Sequence, residues 1–211
     1  MNWDKIYRNK VTDVDSALSI IESNQRIYVG GGAGVPIRLI NGLVERAPHV
    51  QNVEVTHILT FAEAPYVDEQ YEDSFRHNAL FIGHSVRSAV QEGRADFTPI
   101  FLSEIPELFR TGPLPLDVAL ISVSPPDEHG FCSFGVEVGT TKPAAESARH
   151  IIAEINPRMP RTLGDSFIHL SRLSQIVEVD YDLPVAPQGG TSELQLKVGE
   201  HIAELIPTGA T

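Results

Sequence analysis

A run of small residues between an apolar segment and a helical pattern is the first stretch of this sequence that could bind a ligand. Residues 30–34 read Gly-Gly-Gly-Ala-Gly. Glycines let the backbone adopt positive φ angles and approach a ligand closely, and a helix that begins after them exposes N–H groups at its positive end. A carboxylate, a phosphate or a thioester oxyanion would suit this place, although a tight turn without a ligand fits equally well. The candidate binding residues are Gly31, Gly32, Ala33 and Gly34.

The spacing of these glycines matches neither of two common phosphate-binding motifs. The dinucleotide fingerprint Gly-x-Gly-x-x-Gly fails because position 35 is valine. A P-loop ends in Gly-Lys-Ser or Gly-Lys-Thr, and no such tripeptide follows here.

A second polar stretch, residues 122–135, follows an apolar segment and contains Pro125 and Pro126 before a cluster of acidic residues and histidine. His129 beside an acidic neighbour could act as an acid–base pair. The same residues could form a rigid turn held by Asx-type hydrogen bonds, and we favour the turn. Either arrangement can shape a crevice, and the candidates for that role are Ser124, Asp127 and His129.

Two further charged residues follow predicted strands. Glu63 could be catalytic or an ordinary loop carboxylate, and Arg87 could bind an anion or lie exposed on a helix. Cys132 lies between Phe131 and Ser133, and we expect a small buried residue rather than a nucleophile. The spacing of the histidines predicts no metal site; those considered are His77, His84 and His129.

The segments that must position these residues alternate between strand and helix patterns. Strands are predicted at 26–29, 52–60, 79–82, 97–102, 116–123, 151–155 and 175–179. Helices are predicted after a capping box at 12–15, at 35–47, 85–91, 104–109 with Ser103 as cap, 142–149 and 194–206. The last helix is expected to bury an apolar stripe formed by Leu194, Val198, Ile202, Leu205 and Ile206.

This alternation predicts an α/β fold with an open, mostly parallel sheet and helices on both faces. Ligands of such sheets bind beyond the carboxyl ends of the strands. The glycine turn and the segments 60–66, 83–87 and 124–133 therefore matter most.

Composition limits the classes of partner. The chain has 211 residues, with 16 basic and 28 acidic side chains and a net charge of -12. Such a chain repels nucleic acid and anionic lipid, and an anionic ligand needs a local patch of Arg, Lys or backbone N–H groups. A single cysteine suits the reducing cytosol, and no apolar run reaches the roughly 18 residues of a membrane span. We expect a cytoplasmic protein with no nucleic-acid or membrane partner.

Five stretches resemble the acetyl-CoA hydrolase/transferase family, and together they cover nearly the whole chain. They are residues 29–36, 92–106, 117–133, 153–162 and 164–169. The most specific is DVALISVSPPDEHGFCS at 117–133. The resemblance points to acetate or 4-hydroxybutyrate CoA-transferases and to the related acetyl-CoA hydrolases.

The resemblance implies a fold similar to that of ribose-5-phosphate and glucosamine-6-phosphate isomerases. Members of the family have two such α/β domains and usually form homodimers. They move CoA from an acyl-CoA to a small carboxylate, through attack of a glutamate on the thioester and a glutamyl-CoA intermediate. Coenzyme A is then a substrate, and neither a bound cofactor nor a metal is required.

The family places its nucleophilic glutamate in the C-terminal half, and no Glu of this chain matches that motif. We therefore expect residues 1–211 to form the N-terminal domain, with the nucleophile beyond Thr211, and to be inactive without the C-terminal domain. The glycine turn would face the acyl group and supply oxyanion N–H donors. The alternatives are a non-catalytic acyl- or carboxylate-binding module, and a sugar-phosphate isomerase with Glu63 or Asp127 as its base.

Overall fold

The protein is described by a computed structural model that covers residues 3–186 and 189–210. The strands of the main sheet are β1 (Arg26–Val29), β2 (Val53–His57), β3 (Phe75–Ala79), β4 (Ala95–Phe97), β5 (Val118–Val123), β7 (His150–Ile155) and β9 (Gln175–Glu178). A separate antiparallel ribbon pairs β6 (Phe131–Ser133) with β8 (Phe167–His169).

The helices are α1 (Trp3–Lys10), α2 (Val14–Leu18), α3 (Ile37–Glu45), α4 (Arg87–Gln91), α5 (Ile105–Arg110), α6 (Thr141–Ser147) and α7 (Glu193–Glu204). Short 3-10 turns lie at Ala47–His49, Pro65–Val67, Glu69–Tyr71, His84–Val86, Leu102–Glu104 and Leu170–Arg172. No helix in the described part of the chain is both long enough and apolar enough to cross a bilayer.

The order of strands in the main sheet is β4-β3-β2-β1-β5-β7-β9, and all neighbouring strands are parallel. The chain runs outward from β1 to β4 and then returns to place β5 on the other side of β1. The order therefore reverses between β1 and β5. Open α/β sheets bind their ligands at such a switch point, beyond the carboxyl ends of the strands.

Helices cover both faces of this sheet, as the alternation predicts. Alternate side chains of a strand point to opposite faces. Ile27 and Val29 of β1 pack in the same cluster as residues of α2 and α3, whereas Tyr28 packs with residues of α5 and α6. A third cluster joins β5 and β7 to the β6-β8 ribbon and α1. The predicted fold class is confirmed.

Two predicted strands lie several residues from the observed ones. The strand predicted at 79–82 is β3 at Phe75–Ala79, and the one predicted at 97–102 is β4 at Ala95–Phe97. Strand β3 carries the polar residues Arg76, His77 and Asn78. The last two are buried because their side chains hydrogen-bond to Val55 and to Glu54. A strand with buried polar residues does not form the apolar run by which strands are recognised.

Two predicted helix caps are wrong. The N–H of Ser16 donates to Oδ1 of Asp13 at 2.8 Å, so Asp13 caps α2 in place of Thr12. Ser103 lies inside the 3-10 turn Leu102–Glu104, and the helix α5 that follows has no side-chain cap. Residue type alone does not show which of two neighbouring Ser, Thr or Asp residues caps a helix, because the backbone geometry decides which side-chain oxygen reaches the free N–H groups.

The last predicted helix exists as α7, but its predicted burial is wrong. None of its residues is buried by the described part of the chain. The apolar side chains are well exposed, from 49% for Val198 to 82% for Leu205. Helical periodicity identifies an apolar stripe, yet it does not say which part of a protein covers that stripe.

Candidate functional site

The glycine turn leaves β1 at the switch point of the sheet and is held there by its own backbone. The N–H of Gly30 donates to Leu120 O of β5 at 2.9 Å, and the N–H of Gly32 donates to Leu59 O at 2.6 Å. The turn therefore bridges β5 and the loop that follows β2. Gly32 has a φ of 54°, a backbone conformation in which glycine meets no steric penalty.

Two amides of this turn remain for a ligand. Within residues 3–186 and 189–210, the N–H groups of Gly31 and Ala33 donate to no acceptor. Gly31 also lies close to the neighbouring loop, since a Cβ there would stand 2.7 Å from Leu59 O. Unpaired amides beside the carboxyl end of a strand can stabilise a carboxylate or an oxyanion.

The amino end of α3 is not available to a ligand, contrary to the expectation for the helix after the glycines. The N–H of Leu39 donates to Oε1 of Glu154 at 2.7 Å, and the N–H of Ile37 donates to the Tyr181 hydroxyl at 3.1 Å. Glu154 is fully buried. Burial raises its pKa to about 7, although hydrogen bonds from Tyr181 and Leu39 act in the opposite direction. An internal carboxyl group occupies the positive end of the helix.

The loops that follow β2 and β3 form a cleft of about 640 Å³ beside the turn. Glu63 lies in its wall, together with His84 and Ser85. Arg87 is not part of this wall; it begins α4 and is exposed. The bridge between Gly32 and Thr60 joins the cleft to the glycine turn. Of the charged residues predicted for the site, Glu63 lines this cleft.

A buried cluster of aromatic and imidazole rings anchors the loop that carries Glu63. The Tyr66 hydroxyl donates to Nε2 of His57 at 2.6 Å, and Nδ1 of His57 donates to Ile58 O at 3.0 Å. The rings of His57 and His77 lie 4.3 Å apart. Burial lowers the pKa of His57 to about 4 and lowers the pKa of His77 well below its usual value. Sequence reasoning missed this cluster, because its members have no characteristic spacing.

Asp127 forms the rigid turn that the sequence analysis favoured over catalysis. Its Oδ1 accepts hydrogen bonds from the N–H groups of His129 at 2.9 Å and Phe131 at 2.8 Å. Its Oδ2 pairs with Arg161 at 2.5 Å. Burial would raise the pKa of this carboxyl group, but the two amides and the guanidinium outweigh it, so the pKa lies below its usual range.

The other candidates of this hairpin also serve its structure. The Oγ of Ser124 accepts from the N–H of Ser133 at 2.9 Å and donates to Pro125 O at 3.1 Å. The side chain of His129 is 74% exposed and lies 3.5 Å from Glu128, with no hydrogen bond to the Asp127 carboxylate. Asp127 and His129 therefore meet through a hydrogen bond from the His129 backbone N–H to the Asp127 carboxylate, and not as a hydrogen-bonded imidazole–carboxylate pair.

Cys132 is fully buried, as expected. Burial raises the pKa of its thiol to about 12. A thiol with so high a pKa is a poor nucleophile near neutral pH.

Sequence reasoning missed one carboxyl group that touches the glycine turn. The Cβ of Glu137 lies 2.7 Å from the position of a Cβ at Gly34, and its Oε2 lies 3.4 Å from the position of a Cβ at Gly32. Burial raises the pKa of Glu137, although hydrogen bonds from Thr141 and from the amides of Thr140 and Thr141 lower it. No motif marks this residue, because it approaches the turn from a distant part of the chain.

Comparison with known proteins places these features in a family. The acetyl-CoA hydrolase/transferase N-terminal domain matches residues 1–187. The whole chain is 45% identical to a 4-hydroxybutyrate coenzyme A transferase of Clostridium kluyveri and covers 49% of it. It is also 42% identical over 200 residues to a succinyl-CoA:acetate/propanoyl-CoA:succinate CoA transferase of Fasciola hepatica, with 93% of this chain and 41% of that protein covered.

Solved structures give the same result. The 4-hydroxybutyrate CoA-transferase of Porphyromonas gingivalis superposes on the whole chain with a TM-score of 0.83 and 33% identity, over 49% of its own chain. RipA from Yersinia pestis superposes with a TM-score of 0.93 and 26% identity, again over the whole chain and 51% of that protein. The chain thus spans about half the length of the relatives it matches. It belongs to the acetyl-CoA hydrolase/transferase family, whose N-terminal domain matches residues 1–187.

Proposed function

We propose that the full-length protein containing this chain is a CoA-transferase, which moves CoA from an acyl-CoA to a small carboxylate of the acetate or 4-hydroxybutyrate type. The observation that carries the proposal is the glycine turn at the switch point, where the amides of Gly31 and Ala33 have no acceptor among the described residues. The similarity to CoA-transferases supports the same reaction.

The proposed reaction begins when a glutamate outside residues 1–211 attacks the thioester carbonyl. The C–S bond breaks, CoA leaves as a thiolate, and an acyl-glutamyl anhydride remains. The thiolate then attacks the glutamyl carbonyl, releases the first carboxylate and forms the glutamyl-CoA thioester. The acceptor carboxylate reverses these steps. The free amides of the turn stabilise the oxygen that becomes negative in each addition.

The nucleophile and the remaining CoA contacts are proposed to come from a C-terminal domain of the same polypeptide. Two observations support this arrangement: the chain spans about half of its relatives, and the apolar stripe of α7 is exposed. The acyl-CoA and the small carboxylate are the proposed ligands. A homodimer, as the family resemblance implies, and a cytoplasmic location complete the proposal. The single cysteine supports the reducing cytoplasm, and the negative net charge argues against nucleic-acid and anionic membrane partners.

Trapping of the covalent intermediate tests the proposed function. The full-length protein is incubated with acetyl-CoA, reduced with borohydride, and analysed by peptide mass spectrometry. We expect modification of one glutamate outside residues 1–211 and none within them. Failure to modify any glutamate while acetyl-CoA and acetate still bind would instead favour the non-catalytic binding module, and modification of a residue within 1–211 would contradict the proposed division of roles.

A further inference from the structure

Glu137 is the charged side chain that the fold places against the glycine turn. Its backbone follows the hairpin that leaves β5, so it reaches the turn on the side of the switch point. A methyl group at Gly34 would collide with its Cβ at 2.7 Å, and its Oε2 lies 3.4 Å from the Cβ position of Gly32. The turn and this side chain therefore form one surface beside the two free amides.

One carboxyl oxygen of Glu137 is held and the other faces the turn. The Thr141 hydroxyl donates to Oε1 at 3.3 Å, and that hydroxyl is itself 3.1 Å from the hydroxyl of Tyr28 on β1. In the described part of the chain, no other side chain donates to this carboxyl group. The amides of Thr140 and Thr141 also hydrogen-bond to this carboxyl group. In this arrangement Oε2 lies beside the turn, 3.4 Å from the Cβ position of Gly32.

The charges around Glu137 do not neutralise it. Among the described residues it forms no ion pair, since the nearest lysine of α6, Lys142, pairs with Asp165 and Glu146. The titratable group that faces it from β1 is Tyr28, and burial raises the pKa of that phenol, so it stays neutral. The neighbouring loop at 58–61 contributes no titratable side chain. An ionised Glu137 would therefore repel a second carboxylate bound at the turn.

We propose that Glu137 is a substrate-binding residue, which shares one proton between its Oε2 and the carboxyl group of the small acid bound at the glycine turn. This inference rests on the proposed function. Two carboxyl groups in one site bind a single proton because both cannot be ionised side by side. The free amides of Gly31 and Ala33 then hydrogen-bond the other oxygen of the acid. The raised pKa of Glu137 is consistent with such an arrangement.

The expected signature is a KM for the acid that depends on pH. Above the pKa of Glu137, the KM for acetate should rise by up to about tenfold per pH unit, because binding then takes up one proton. The KM for acyl-CoA should lack this slope, since a thioester carries no negative charge to repel. If Glu137 had a purely structural role, substituting it would not change the pH dependence of the KM for acetate or of the KM for acyl-CoA.

The experiment measures CoA transfer from butyryl-CoA to acetate by the full-length protein between pH 5.5 and 8. Glu137→Gln keeps an N–H donor at every pH, so its KM for acetate should be flat. Glu137→Asp should keep the slope with a higher KM. Glu146→Gln, an exposed substitution on α6, is the matched control and should follow the wild type. Thermal unfolding of each variant verifies that it is folded.

Each outcome has a defined meaning. A slope that persists in a folded Glu137→Gln protein, or a wild-type KM for acetate without a slope, would overturn the inference. If Glu137→Gln does not fold, Glu137→Asp decides, and loss of the slope there counts against the inference. If the wild type transfers no CoA at any pH, the proposed function fails. The inference on Glu137 is then tested separately by calorimetry, which measures whether the dissociation constant for acetate rises with pH in the wild type and not in Glu137→Gln.

Discussion

At the scale of single residues, the glycine turn combines a narrow backbone with two unpaired amides. Its glycines are required because neighbouring atoms occupy the space that a side chain would need: Leu59 O beside Gly31, and Glu137 beside Gly34. The same contacts place the Glu137 carboxyl group beside the segment that carries the two N–H groups without an acceptor among the described residues. Small changes in this segment should therefore affect stability and binding together.

Gly34→Ala tests this packing. The new methyl group would stand 2.7 Å from the Cβ of Glu137, so the backbone or Glu137 must move, and we expect a loss of about 1–3 kcal/mol in the free energy of unfolding. Gly139→Ala is the matched control, since a Cβ there meets no atom within 4 Å. Urea unfolding measures the free energy of unfolding of both variants. Equal losses in the two would contradict the close contact between Gly34 and Glu137.

Tyr66→Phe tests the anchor of the loop that carries Glu63. The change removes the hydroxyl that donates to Nε2 of His57 and leaves that buried nitrogen without a partner. Such a group costs about 1–3 kcal/mol, so the free energy of unfolding should fall by that amount. Tyr71→Phe alters a partly exposed tyrosine on the same segment and should change it by less than about 0.5 kcal/mol. Similar losses in both variants would argue against the anchor.

At the scale of the elements, α3 depends on a carboxyl group from a different part of the sheet. Glu154 lies on β7, yet its carboxyl group accepts the N–H of Leu39 in the first turn of α3. The helix therefore uses an internal acceptor where sequence reasoning expected a ligand. Among the described residues, the amides of Gly31 and Ala33, rather than the end of the helix, are N–H groups of this region that lack an acceptor.

The raised pKa of Glu154 predicts how stability depends on pH. The folded protein holds the proton up to a pKa of about 7, whereas the usual value is 4.5. The contribution of protonated Glu154 to the free energy of unfolding is therefore fully present below pH 4.5 and is lost as the pH rises through 7. The difference corresponds to a contribution on the order of 3 kcal/mol.

Urea unfolding at pH 5 and pH 8 measures this effect through the difference between the wild type and Glu154→Gln. We expect the variant to lose less stability between these pH values than the wild type. Glu45→Gln, an exposed change at the other end of α3, serves as the control and should show the wild-type dependence. Identical pH dependences in the wild type and Glu154→Gln would refute the assignment.

At the scale of the whole molecule, the apolar stripe of α7 is a feature that the rest of the described chain leaves uncovered. The side chains of this stripe are apolar and lie at helical spacing. They are nevertheless solvent-exposed, with relative exposures of 49% for Val198 and 55% for Ile202. A contiguous apolar surface of this kind usually marks an interface. The proposed C-terminal domain is the partner that would cover it.

Val198→Asp tests whether the proposed C-terminal domain covers the stripe of α7. In a protein of residues 1–211 the change should alter the free energy of unfolding by less than about 0.5 kcal/mol, because the side chain is exposed. In the full-length protein a buried carboxylate should destabilise by several times as much. Lys197→Asp, on the neighbouring face of α7, is the control and should have a small effect in both proteins. A small effect of Val198→Asp in the full-length protein would mean that the stripe stays uncovered.

The prediction of structure from sequence succeeded where local patterns are strong. Strands β1, β7 and β9 lie within a residue of their predicted positions, and β5 within two, because each contains an apolar run between turn residues. Strand β3 was misplaced because its buried positions include His77 and Asn78, whose polar groups are satisfied only by neighbouring strands. The Asx-type turn at Asp127 was predicted because its hydrogen bonds are local.

The sequence by itself determined the α/β class, the glycine turn after β1 and the family, since these depend on local periodicity and on contiguous motifs. Only the tertiary structure decided which groups meet at that turn. Glu137 and Gly34 are separated by 103 residues along the chain, and Glu154 and Leu39 are separated by 115. Contacts of this kind arise from the order of strands in the sheet, and no local pattern of residues encodes them.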